Sequence, residues 1–227
     1  NITCDLIYGF PLLSDEKWKS NMQKLIDFDI PHISSYAMTV ESRTALSHFI
    51  KSGKTAPLHE GQAAEQMNML METLNAKGFE HYEISNFAKP GMYAKHNTNY
   101  WRGKHYLGIG PSAHSFNGSS RAWNIANNAK YIAALSSKSL ALETETLSLE
   151  DRINEYIMTS LRTMWGIDLA YVEHTFGADM RKELEQEAQY FVDKGDIVQH
   201  EQALTLSSQG KLMADHIASE LFRIAEA

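Results

Sequence analysis

Up to residue 84 the chain alternates between short apolar runs and stretches with helical spacing. An apolar run over 2–8 ends at Gly9 and Pro11. Ser14 then stands where it can cap a helix whose Trp18, Met22, Leu25 and Ile26 fall at i, i+4, i+7 and i+8. A second strand is expected over 30–38. Past a loop, Ala63, Met67, Leu70 and Leu74 mark another amphipathic helix, stopped by Gly78, and a third strand follows over 79–84. Strand, helix, strand, helix, strand predicts three parallel strands with helices on one face and functional loops at the strands' C-terminal ends. Asp5, Tyr8, Tyr36, Glu41, Tyr82 and Glu83 lie at those ends. The first strand is expected at an exposed edge. Such an edge invites pairing with another chain, so a homodimer through it is an expectation.

The pattern changes farther on. Residues 125–147 are rich in Ala, Asn, Ser and Lys and predict a short helix around Tyr131 followed by a linker. Ile153, Ile157, Leu161 and Met164 then mark a helix ended by Gly166, and Leu169, Val172 and Phe176 a short second one. Met180, Leu184, Ala188 and Phe191 mark a third, ended by Gly195. A hairpin over 196–207 and a closing helix with Met213, Ile217 and Leu221 complete the set. Helices, a hairpin and a closing helix predict a mainly helical, winged-helix-like domain. The expected division is therefore 1–125, a connecting helix and linker over 126–147, and a C-terminal domain over 148–227.

Charge separates the same regions. Residues 1–147 carry 14 Lys and Arg against 13 Asp and Glu, whereas 148–227 carry 7 against 15. Winged helices often bind DNA, but phosphate binding needs clustered cations. The would-be recognition helix over 180–194 has three basic residues against four acidic ones. Nucleic acid is therefore not an expected partner. No apolar run reaches the ~18 residues of a membrane helix and no export signal is visible, so a cytoplasmic location is expected. Cys4 is the only cysteine, which rules out an internal disulfide. The chain opens on Asn1 and runs directly into a strand, which leads us to expect that it is a piece of a longer protein.

The chemistry concentrates in HNTNYWRGKHYLGIGPSAHS, residues 96–115, expected as a glycine-hinged loop after the third strand. Gly108, Gly110 and Ala113 spell G-x-G-x-x-A, but no helix can open on the HSFNGSS that follows, and the next acidic residue is Glu143. A dinucleotide site is thereby excluded. His96, His105 and His114 stand nine residues apart, which is not a zinc spacing, and for His105 a structural role is expected. Asp5, beside Cys4 and Leu6 on an apolar strand, needs a partner. A ribose diol or an ammonium would suit it, and so would capping of the next turn.

DLIYGFP (5–11), SSYAMTVE (34–41), YEISNFAKPG (82–91), HNTNYW (96–101) and YLGIGPSAHS (106–115) resemble, in that order, the oxygen-independent coproporphyrinogen III oxidase-like family of radical S-adenosylmethionine (SAM) proteins. The resemblance implies an α/β fold: the C-terminal part of a partial (β/α)6 TIM-type barrel, entered at its fifth strand, followed by the winged-helix-like domain. It implies that Asp5 and Ile7 line a SAM pocket and that the backbone of Ala37 reads the adenine edge. The family's CxxxCxxC motif is absent here, and a 4Fe–4S cluster takes three thiolates with its fourth site left to SAM. Cys4 alone is not expected to hold one, so this chain by itself is expected to be inactive. One branch of the family decarboxylates coproporphyrinogen III oxidatively with SAM and the cluster; another resembles haem-binding chaperones and carries H-N-x-x-Y-W. HNTNYW fits the second branch. It implies haem as ligand, with His96 as iron ligand, Tyr100 and Trp101 as ring walls, Arg102 and Lys104 near the propionates and Asn97 orienting the imidazole. The loop serving only as a lid remains open.

Overall fold

The helical spacing around Trp18 is realised in the computed structural model, which describes residues 1–224. The chain divides into two compact units, Asn1–Ala94 and Lys95–Ala227. The first contains β1 (Thr3–Tyr8), α1 (Asp15–Asp27), β2 (His32–Ala37), α2 (Ala45–Lys51), α3 (Glu60–Ala76), β3 (Glu80–Glu83) and β4 (Asn86–Ala88). Ser14 caps α1 as expected, its hydroxyl accepting from the Lys17 amide. One face of that helix puts Trp18 and Met22 out of solvent in a core with Ile33, Leu70, Leu74 and Phe87. The periodicity is therefore the burial pattern itself.

β1 and β2 pair in parallel from Thr3↔His32 to Tyr8↔Ala37. The expected third parallel partner is corrected: the sheet order is β1-β2-β4-β3, and β4 is antiparallel to both of its neighbours. β3 runs in the same direction as β1 and β2 but reaches them only through β4. The chain reverses over Ile84 and Ser85 so that Phe87 and Ala88 fill the sheet centre, both fully buried. That two-residue turn lacks the Gly, Asn or Asp that usually announces a hairpin. β1 lies at the sheet edge, as expected.

The second unit opens with α4 (Lys95–Trp101), followed by β5 (His114–Phe116), β6 (Ser120–Asn124), α5 (Asn128–Ser136) and β7 (Leu142–Thr146). α5 forms around Tyr131 as expected. Part of the anticipated linker is instead a strand, because β7 pairs with β6 along its whole length in a β5-β6-β7 antiparallel sheet. Next come α6 (Leu149–Leu161), β8 (Ile167–Asp168), α7 (Leu169–Phe176), α8 (Ala178–Lys194), β9 (Ile197–Gln199), β10 (Ala203–Leu206), α9 (Ser208–Lys211) and α10 (Ala214–Glu220). A reciprocal Ser148–Asp151 capping box starts α6. Ile153, Ile157, Val172, Leu184, Ile217 and Leu221, all chosen by spacing, are fully buried. The expected hairpin is β9–β10, to which β8 adds a third strand. No helix among the described residues is long and apolar enough to cross a membrane.

Candidate functional site

Alternation along β1 turns Asp5 and Ile7 to the same face, and both are exposed, Ile7 by 51%. Ala37 ends β2 opposite Tyr8, one step beyond the Ile7↔Tyr36 pair, and is exposed as well. The structure thus places Ile7 and Ala37 at the C-terminal ends of two adjacent parallel strands, whereas Asp5, third of the six residues of β1 and paired with Ser34, stands mid-strand, which corrects its expected place at the strand end. Below them His32 is buried between two hydroxyls, Nδ1 at 2.8 Å from Thr3 Oγ1 and Nε2 at 2.8 Å from Tyr82 OH. Burial lowers the His32 pKa, and the charge of Asp5 opposes it. Cys4 points away from this face and packs against the core of its unit. One thiol cannot supply the three ligands of a 4Fe–4S cluster, so the residues present do not fit that group. Among the described residues no group of three or more His, Cys, Asp or Glu could hold a metal ion.

HNTNYW is not on a loop, which corrects the expectation: it is the body of α4. The glycines read as hinges begin only at Gly103, and KHNTNYW itself contains neither Gly nor Pro. The helix brings His96 beside Tyr100, four residues on, with ring centroids 4.9 Å apart and edge to face. Asn97, Tyr100 and Trp101, with Arg102 and Lys104 after them, line a cleft of about 1600 Å³ within the second unit. His96 is exposed and is not among its lining residues. The indole N–H of Trp101 is buried without a hydrogen-bond partner.

Two groups of rings line the cleft. Tyr100, Tyr106 and Phe116 follow one another at 4.5 and 5.9 Å, and His105 stands edge-on to Phe116 at 6.3 Å. A second group of rings also lines it, Tyr156 lying 4.6 Å from Tyr171 and 6.3 Å from Phe176. Cations sit on or beside the rings: Arg102 lies 4.1 Å over Trp165 and Arg152 lies 5.8 Å over Phe176. Arg121 forms an ion pair with Glu155. Burial raises the Glu155 pKa, with Asp151 and Glu145 adding to it and Arg121 opposing it. Burial also raises the Tyr106 phenol. Such a cavity can receive a flat, largely apolar ligand that carries negative charge at its margin.

The motif pointed to one wall only. Arg121, Arg152, Glu155, Tyr156, Trp165, Tyr171 and Phe176 were missed. A trace of them was readable on α6, where Arg152, Glu155, Tyr156 and Thr159 recur at i, i+3, i+4 and i+7 beside the apolar stripe and all line the cleft.

The family model described as the HemN C-terminal domain matches residues 147–213. A heme chaperone HemW of Bacillus subtilis (strain 168) is 29% identical over 218 residues, covering 96% of this chain and 58% of the relative. The HemW of Mycobacterium tuberculosis (strain H37Rv) is 30% identical over 222 residues, covering 97% and 55%. A mitochondrial radical S-adenosyl methionine domain-containing protein 1 of Mus musculus is 37% identical over 113 residues, 50% of this chain and 26% of the relative. Among solved structures, the radical SAM enzyme coproporphyrinogen III oxidase (HemN) of Escherichia coli superposes with a TM-score of 0.74 at 19% identity, covering 97% of this chain and 54% of that one. The chain thus spans little more than half the length of these HemW and HemN proteins.

Proposed function

This chain belongs to the oxygen-independent coproporphyrinogen III oxidase-like family of radical SAM proteins, and from that premise we propose that it serves as a haem chaperone, binding haem through the HNTNYW helix. The observation that carries this reading is that Asn97, Tyr100 and Trp101 of that helix line a ring-walled, cation-rimmed cleft. The relatives that match almost the whole chain are named heme chaperones, which favours binding over oxidation. The oxidase likeness rests on a structure 19% identical, which speaks for the fold alone.

In this reading α4 presents the His96 imidazole as iron ligand at the rim of the cleft, Tyr100 bearing on its ring. Tyr100 and Trp101 supply ring surface, Asn97 the orienting amide, and Arg102 and Lys104 partners for propionates. On the first unit, Asp5 would accept from a ribose hydroxyl or an ammonium of SAM, with Ile7 packing on adenine and Ala37 reading its edge through the backbone. The 4Fe–4S cluster of the whole protein would take its thiolates from outside this chain. Residues 1–125 would be the closing part of a partial (β/α)6 barrel, 126–147 its connection, and 148–227 a winged-helix-like domain. The whole protein would work in the cytoplasm, with the β1 edge open to a second copy.

Titration of haem into the protein and its His96→Ala variant, followed at the Soret band, tests the ligand. The variant is expected to bind at least about tenfold more weakly, a loss of about 1.4 kcal/mol, with a shifted band. Equal affinity and an unchanged spectrum would remove His96 from the iron and leave α4 as a wall of the cleft only.

A further inference from the structure

Four cationic side chains line the cleft, and they are not alike. Arg102 and Arg152 lie over rings, and no ion pair among the described residues involves either of them or Lys104. Arg121 alone is matched, by Glu155, and that pair is only partly withdrawn from water, with side-chain exposures of 38% and 28%. Partly exposed pairs contribute little and exchange partners readily. Glu155 is also a reluctant anion: burial disfavours its charge, Arg121 only partly offsets that, and Asp151 and Glu145 nearby add to it. The cavity, at about 1600 Å³, exceeds the roughly 300–1,000 Å³ of a drug-sized site. A guanidinium meets a carboxylate by two parallel N–H···O bonds, a geometry open to any incoming carboxylate.

We propose that the cleft holds a large planar aromatic ligand by its carboxylates, Arg152 being a standing anchor and Arg121 an anchor that Glu155 occupies until the ligand displaces it. The ligand class rests on the proposed haem function; the anchoring residues lie outside the HNTNYW motif and rest on the cleft itself. Glu155 then sets selectivity. A neutral ring system gains nothing from Arg121 and leaves the pair closed, whereas a carboxylate takes Glu155's place on the guanidinium.

Metal-free protoporphyrin IX and its dimethyl ester are the probes, since neither has iron to ligate. Binding to the protein, read by quenching of tryptophan emission, is expected to be at least about tenfold tighter for the acid than for the ester. Arg152→Gln should weaken binding of the acid far more than that of the ester and so remove most of that preference. Glu155→Gln should tighten the acid several-fold, because Arg121 is then unmatched before the ligand arrives; a pair that merely braces the cleft gives no such gain. Equal affinity for acid and ester overturns the proposal, as does a Glu155→Gln variant that binds the acid no better. The two readings fail separately. Haem binding that depends on His96 without any preference for the acid sinks the anchors alone. A preference for the acid with haem binding indifferent to His96 sinks the iron ligand alone.

Discussion

Gln66 is fully buried on α3 and ties the end of β1 to the start of α1. Its Oε1 accepts from the Gly9 amide at 2.8 Å, its Nε2 donates to the Leu13 carbonyl at 3.0 Å, and its own carbonyl accepts from the Trp18 indole at 2.9 Å. Gly9 has φ +78, and a Cβ there would stand 3.0 Å from that of Ala63, so the backbone passes the helix closely with its N–H turned inward. Leu13 keeps a second donor in Gln62, but Gly9 has only Gln66 among the hydrogen bonds of the described residues. Gln66→Leu should therefore cost about 2–3 kcal/mol, the penalty of a buried unpaired amide, read as a lowered urea midpoint. The same change should disturb the strand end where Ile7 and Tyr8 stand. An unchanged midpoint would show that water reaches Gly9.

The elements that were legible are those whose own burial writes their spacing. Trp18 and Met22 in α1, Leu70 and Leu74 in α3, and Ile153 and Ile157 in α6 each face one core, so period and structure coincide. α4 carries no such stripe: none of its seven residues is buried, and its histidine, asparagines and threonine suggest a loop until the tertiary setting is known. β5 and β6 turn at Asn117 and Gly118, the latter at φ +93 with the Asn117 side chain accepting from the Ser119 and Ser120 amides, a hairpin not among the expected elements, and nothing local tells β6 that β7 will join it. The cleft was hidden for the same reason, being assembled from residues 97 to 203 by long-range contacts. Gly166 shows how tightly. It has φ +67, and a Cβ there would fall 2.1 Å from the Leu204 carbonyl oxygen. Gly166→Ala should push β8 from β10 and destabilise the second unit by at least about 2 kcal/mol. A thermal melt that did not move would show that the two strands separate at no cost.

Across the whole molecule the two units answer to pH through different groups. In the first, burial holds the His32 pKa below its ordinary 6.5, Asp5 only partly opposing it. The unfolded chain therefore takes up a proton before the folded unit does. Stability is complete above pH 6.5 and is lost as pH falls through the folded value. In the second, burial lowers Lys211 from 10.5 to about 8. Between those two values the unfolded chain again holds the extra proton, so this unit gains stability as pH rises from about 8 to 10.5, by at most about 3 kcal/mol. Below pH 8 both states carry the charge and the penalty is constant. Lys211→Met, which keeps the apolar stem and removes the titrating amine, should therefore flatten the second unit's stability profile between pH 8 and 10.5. It should leave the acid response of the first unit unchanged. Hydrogen exchange followed by mass spectrometry, corrected for the intrinsic effect of pH and read separately over 1–94 and 95–224, distinguishes the two. If Lys211→Met flattens the profile of both units equally, they unfold as one cooperative body; if it flattens neither, Lys211 holds its proton alike in the folded and unfolded chain. A flattening confined to the second unit would make the unit that carries the cleft thermodynamically separable from the one that carries Asp5.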